Sequence, residues 1–150
     1  MYRHILVPLD GSHLAEQILT HVKALASLEG SEAHITLFRA VPPIYPATVD
    51  YSGMLTTMMD TLPEAEQEAQ DYLDTIAAEL KAEGYKVQCE VSVMPAAEGI
   101  IEFSEAHRVD LIAIATHGRS GISRWVFGSV TQKVIHSAQA PLLVMRPKEH

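Results

Sequence analysis

Apolar positions along this chain follow two alternating rhythms: short unbroken runs, and longer segments in which they recur every three or four residues. The first run, His4-Ile-Leu-Val-Pro-Leu9, stops at Asp10-Gly11-Ser12, as expected of a strand buried on both faces of a parallel sheet. Ser12 then caps a helix in which Ala15, Ile18, Leu19, Val22, Leu25 and Ala26 hold one face until Gly30 supplies a stop. Ala33 to Val41 is rich in β-branched and aromatic residues and ends at Pro42-Pro43, which predicts a second strand. Pro63 to Glu83 gives the clearest helical period, through Ala65, Ala69, Tyr72, Leu73, Ile76 and Leu80. Acids load its first half, Lys81 sits near its end, and Gly84 is placed to stop it.

Lys86 to Val93 alternates apolar and polar residues, the pattern of an edge strand with one wet face. A helix from about Ala96 to His107, a strand from Val109 to Thr116, a helix from about Ser129 to Ala138 and a last strand over 141–146 complete the order. Strands alternating with helices of this length predict an α/β fold: a single doubly wound five-stranded parallel sheet with helices on both faces, with 3-2-1-4-5 the favoured order among the few that right-handed crossovers leave. The segment from Pro42 to about Leu62 stands outside this scheme. It carries Pro43, Pro46, Gly53 and the methionines Met54, Met58 and Met59 without clear periodicity, and is a candidate lid or protein-partner segment as much as a plain surface excursion.

Composition narrows the function. At 150 residues and 47% hydrophobic, the chain has the size and apolar content of one domain, residues 1–150. A formal net charge of -8 speaks against nucleic acid or an anionic membrane as partner, since such binding needs clustered Lys and Arg. Acids crowd between Asp60 and Glu105, whereas residues 106–148 carry Arg108, Arg119, Arg124, Lys133, Arg146 and Lys148 against Asp110 alone. An anion therefore suits the C-terminal third best. The single cysteine, Cys89, excludes an internal disulfide and a cysteine-rich metal site. The N-terminal apolar run is too short for a signal peptide and no run spans a membrane, so the expected location is cytoplasmic.

The stretch from Leu111 to Gln132 carries the candidate chemistry. A buried strand empties into the loop Thr116-His-Gly-Arg-Ser-Gly121, and Gly128-Ser129 opens a helix whose first amides lack intrahelical partners, a ready anion site. In doubly wound sheets ligands bind beyond the carboxyl ends of the strands, where the strand order reverses. With strands one and four adjacent there, Asp10 and the Gly118 loop share one crevice. No P-loop or dinucleotide fingerprint is present, and Ile122 spoils a nucleophile elbow. The eight histidines form no H-E-x-x-H or i, i+4 pair, so no zinc site is indicated. Helix capping by a Ser129…Gln132 box is an alternative role for those two residues, Gly118 and Gly121 can serve simply as turn residues, and Trp125-Val-Phe127 reads as an anchor packing the loop onto the domain.

The spacing His117-Gly118, nine residues, then Gly128-Ser129, with Ala115 three positions before Gly118, closely resembles the nucleotide-binding signature of the universal stress protein superfamily. The opening Ile-Leu-Val-Pro-Leu-Asp10 and the ending Ala140-Pro-Leu-Leu-Val-Met145 extend the likeness over nearly the whole chain. The resemblance implies ATP with Mg2+ as cofactors. Asp10 would contact the ribose or a phosphate-bound metal, the Ala40-Val41 backbone would border the adenine, and Ala115, Gly118, Gly128, Ser129, Val130 and Thr131 would form the phosphate and ribose cradle, with Pro8 and Gly121 as further cofactor-binding candidates and His117 as a ligand neighbour or a structural loop histidine. Ala115 departs from the pattern, which has glycine there. The resemblance also implies a homodimer through strand 141–146. No general base or catalytic lysine is evident, so any hydrolysis is expected to be slow. The alternative is a dimeric interaction module of the same family that binds no ATP and works through the 42–62 segment.

Overall fold

The computed structural model describes residues 2–28, 32–43, 54–116 and 127–148. Its elements are β1 (His4–Pro8), α1 (His13–Glu16), α2 (Ile18–Ala26), β2 (His34–Ala40), α3 (Met54–Ala82), β3 (Lys86–Ser92), α4 (Ala96–Ala106), β4 (Leu111–Ala115), α5 (Ser129–Ser137) and β5 (Leu142–Met145). The five strands form one sheet in the order β3-β2-β1-β4-β5, every pairing parallel. The predicted class and strand order are therefore those observed, and the sheet's order reverses between β1 and β4.

The sheet divides the core in two. Ile5, Val7, Leu9, Ile35 and Leu37 join Ile18, Val22, Leu73 and Leu80 beneath α1 to α3. Leu6, Phe38, Ile112 and Ile114 join Ile100, Phe103 and Val134 beneath α4 and α5. Residues of opposite parity along β1 thus reach opposite clusters, which is why its run is unbroken rather than alternating. Burial of this apolar area from water is the main favourable contribution to the fold.

Three local expectations are corrected. The long helix does not begin at Pro63. It starts at Met54 and runs through that proline, so Pro63 forgoes one intrahelical hydrogen bond instead of marking a terminus. The first helix divides at Gln17, which keeps φ −58° and ψ −24° between α1 and α2. The Gln17 side chain donates to the Lys148 carbonyl at 3.0 Å and accepts from its amide at 2.9 Å, stitching the C-terminal segment to the α1–α2 junction. Phe127 is 40% exposed and so is no buried anchor, while Trp125 and Val126 lie outside the described residues.

Two helices end alike with different residues. After α3, Gly84 at φ +97° donates to Lys81 O at 2.9 Å, and Tyr85 donates to Leu80 O at 3.1 Å, a Schellman closure. After α4, Arg108 stands in glycine's place at φ +50°, with Val109 donating to Ser104 O at 3.0 Å.

At the amino ends of the strands, His4 is 7% exposed and stacks on His34 with ring centroids 4.0 Å apart. Its Nδ1 lies 3.3 Å from the His107 carbonyl and its Nε2 lies 2.8 Å from Thr36 Oγ1. A carbonyl only accepts, so Nδ1 carries the proton and Nε2 accepts from the Thr36 hydroxyl. Gln88 Nε2 donates to the same hydroxyl oxygen at 2.8 Å. The chain of donors is complete with His4 neutral.

Candidate functional site

β1 ends in Pro8, and Asp10, Gly11 and Ser12 turn the chain into α1. The Ser12 amide and hydroxyl both donate to Asp10 Oδ1, at 2.9 and 2.6 Å. The same hydroxyl oxygen accepts from the Ala15 amide at 3.2 Å, which caps α1 and ties its first turn to Asp10. Gly11 takes φ +88°, a conformation that side-chain-bearing residues rarely adopt.

Beside this turn, at the carboxyl ends of β1 and β4, lies a cavity of about 120 Å³. Its walls come from separate elements: Leu9 and Asp10 after β1, Phe38 and Ala40 of β2, Ala96 and Ile100 of α4, Ile114 and Ala115 of β4, and Val130 and Thr131 of α5. It is the place that the strand-order rule names for a ligand. The lining is apolar apart from the Asp10 turn and Thr131. Thr131 is 3% exposed.

Of the sequence-predicted residues, Pro8, Asp10, Ala40, Ala115, Val130 and Thr131 line this cavity. Val41 is buried beside it and its amide donates to Ser92 O at 2.8 Å, so that N–H is committed to the sheet. His117, Gly118 and Gly121 lie outside the described residues, as do Arg119 and Arg124. Gly128 and Ser129 stand at the start of α5 with a changed division of labour. The expected capping box is absent: Gly128 is the N-cap at φ −57° and ψ 155°, no side chain caps the helix, and Ser129 is its first helical residue. The Gln132 amide donates to Gly128 O at 2.9 Å, which leaves the first-turn amides without intrahelical partners. No acid occupies that turn, so the positive end of the helix is uncompensated locally.

The apolar walls contributed by Ala15, Phe38, Ala96, Ile100 and Ile114 were not singled out in the sequence. The available signal was the i, i+4 pair Ala96 and Ile100 at the head of α4, which faces the reversal point once β3 is placed at the sheet edge. Across the cavity, Lys133 of α5 donates to Glu98 of α4, joining the two helices that flank it. The hydrogen bond from Lys133 holds the Glu98 carboxyl below its ordinary value.

The Asp10 turn also lies close to Arg39 of β2. An atom added at the Cβ position of Gly11 would lie 3.1 to 3.3 Å from the Arg39 guanidinium. That guanidinium sits 5.0 Å from the centroid of the Tyr72 ring, and the Tyr72 hydroxyl donates to Glu16 Oε1 at 3.0 Å. Burial first, and Glu16 second, push the Tyr72 hydroxyl far above its usual value, so it remains a donor. No cluster of three or more His, Cys, Asp or Glu suited to a metal occurs among the described residues. Cys89 is pushed up to about 11, mainly by burial and then by a hydrogen bond with Asp74, which makes it a packing residue with an unreactive thiol.

An open parallel sheet with an apolar cavity and an uncapped helix start at its reversal point is a doubly wound α/β unit of the ligand-site type. The chain belongs to the universal stress protein family, whose family model matches residues 1–146. A universal stress protein of Methanocaldococcus jannaschii is 31% identical, with 99% of this chain and 97% of the relative covered. The solved structure of universal stress protein UspA from Lactobacillus plantarum superposes with a TM-score of 0.79 at 22% identity, covering 97% of this chain and 98% of that one. A universal stress protein from Archaeoglobus fulgidus, solved in complex with dAMP, gives a TM-score of 0.68 at 22% identity, covering 95% and 97%. No helix among the described residues is long and apolar enough to cross a membrane.

Proposed function

We propose that this chain is an ATP-binding universal stress protein, a nucleotide-binding or signalling module of the cytoplasm that folds as one domain and hydrolyses ATP slowly at most. The observation that carries this reading is the pairing of an apolar cavity with the uncapped start of α5, where Thr131 is 3% exposed and lines the cavity. The apolar walls suit a base, and the first-turn amides with the Thr131 hydroxyl suit phosphate oxygens. That a universal stress protein of the same fold, from Archaeoglobus fulgidus, was solved in complex with dAMP supports an adenine nucleotide as the ligand. Mg2+ fits the donor chemistry of Asp10, whose single carboxylate would need phosphate oxygens and water to complete the coordination. Gly118 and Gly121, with His117, would close the phosphate side. A second copy would pair along β5, leaving the 42–62 segment for a protein partner.

The test is direct. Nucleotide released from freshly purified, denatured protein is separated by chromatography, and binding is then measured by calorimetry with Mg2+ and ATP. The expected result is released adenine nucleotide and saturable heat, and the absence of both overturns the reading. Gly128→Val should abolish binding while the far-UV circular dichroism stays unchanged. Gly128 has an ordinary φ of −57° that valine tolerates, so the loss would come from crowding the phosphates. Full affinity in that variant would place the site elsewhere.

A further inference from the structure

The Asp10 turn is flanked by a cation that no motif singles out. Arg39 belongs to β2, and its guanidinium lies between the Gly11 backbone and the Tyr72 ring. Tyr72 is in turn held by its hydrogen bond to Glu16 of α1. Three layers are stacked here: a turn that carries a carboxylate, a fixed positive plane, and an aromatic ring on α3. The guanidinium lies over the Tyr72 ring, 5.0 Å from its centroid, and beside the turn that carries Asp10.

We propose that Arg39 is a positioning residue for the nucleotide site: it fixes the Asp10–Gly11–Ser12 turn and supplies a permanent positive charge that lets the site accept a polyphosphate even without a divalent cation. The inference rests on the nucleotide reading of the same cavity. Its physical basis is the conflict that Asp10 creates, since a carboxylate at the mouth of a phosphate site repels an unmetallated triphosphate. A divalent cation between them resolves that conflict, and a guanidinium beside the turn resolves part of it. The φ of +88° at Gly11 strains any side chain, and a Cβ built there would lie 3.1 Å from the guanidinium, which places the turn's backbone close to the charged group.

Two measurements on the full-length protein test the proposal. ATP affinity is determined by calorimetry in excess Mg2+ and in EDTA for the wild type, Arg39→Gln and Arg39→Lys. Arg39→Gln should lose about tenfold in EDTA, the size of a close charge interaction, and clearly less in Mg2+, while Arg39→Lys should recover most of the loss. An equal loss in both conditions, or no loss, overturns the charge role. The Ser12 amide donates to Asp10 Oδ1, so its NMR chemical shift in the ligand-free protein reports on the turn. Arg39→Gln should shift that signal toward its random-coil position with the β1 amides unchanged. An unmoved Ser12 signal overturns the proposal whether or not ATP binds. A wild-type protein that binds no nucleotide overturns the functional reading, and with it the polyphosphate role of Arg39.

Discussion

Arg108 shows how a single residue departs from what its position favours. The end of α3 uses Gly84 to reach a left-handed conformation, and the end of α4 makes the same closure with Arg108 at φ +50°. A Cβ in that region costs energy that glycine avoids, partly offset by glycine's greater entropy when unfolded. Arg108→Gly should therefore stabilise the protein by about 0.5 to 1 kcal/mol and raise Tm by roughly 2 °C, read by thermal unfolding. His4 sets a different kind of residue-scale expectation. Burial, then the charge of the neighbouring His34, lowers its pKa from 6.5, with the His107 ring lowering it further and the His107 carbonyl and Asp110 opposing. The folded state thus refuses a proton that the unfolded state accepts. The stabilisation is fully present above pH 6.5 and is lost as pH falls from there through the folded value. Denaturant unfolding between pH 7 and pH 5 should show stability declining, by at most about 1.4 kcal/mol per pH unit for one proton, and His4→Gln should flatten that slope. At still lower pH Asp110 adds to the loss, because the Arg3 and His4 amides that it accepts hold its carboxyl below 3.8.

At the scale of elements, β5 is the exposed edge of the sheet. Leu142 and Val144 pack on the α4–α5 cluster while Leu143 and Met145 pack on the other, and all four stay half-buried. One side of β5 is paired with β4, which leaves an apolar edge of the sort that proteins cover. A second copy along this edge predicts a mass near twice 16.5 kDa in sedimentation at micromolar concentration. A charge placed by Val144→Lys should shift that population to monomer, and a wild-type monomer under these conditions would remove the dimer. Elements were also where the sequence was read best and worst. The ends of the first two strands were clear because their runs stop at Asp10 and Pro42. The start of α3 was hidden because Pro63 imitates an N-terminal signal and the residues before it lack a period. The start of α5 at Ser129 is as expected, and only the alternative capping role of Ser129 is not realised, since a Gly-Ser pair offers two candidates for the cap and backbone geometry selects Gly128.

For the whole molecule, right-handed crossovers between parallel strands narrow the strand order to a few arrangements, of which β3-β2-β1-β4-β5 is the one observed. The half of the site made of backbone approach, at Pro8, Asp10, Ala115 and the start of α5, was legible through its motif. The other half was not. Phe38, Ile100 and Ala15 look like ordinary core residues in sequence, and only the three-dimensional meeting of β2, α4 and α1 makes them walls of one cavity. Arg39 escaped for the same reason, since nothing along the chain says that it will lie close to a glycine 28 positions earlier.

The cavity has one more property, which follows from the sheet that divides the core. Leu9, Ala15 and Ala115 belong to the cluster on one face, whereas Phe38, Ile100 and Ile114 belong to the other, yet all six line the same space. The two halves of the core, separated elsewhere by the sheet, adjoin one opening at its reversal point. A guest seated there would act as a keystone, pressing on both halves at once. Its binding energy would be felt as cooperativity between layers that otherwise communicate only through the strands, so α1 and α5 would resist local opening together and yield together when the guest departs.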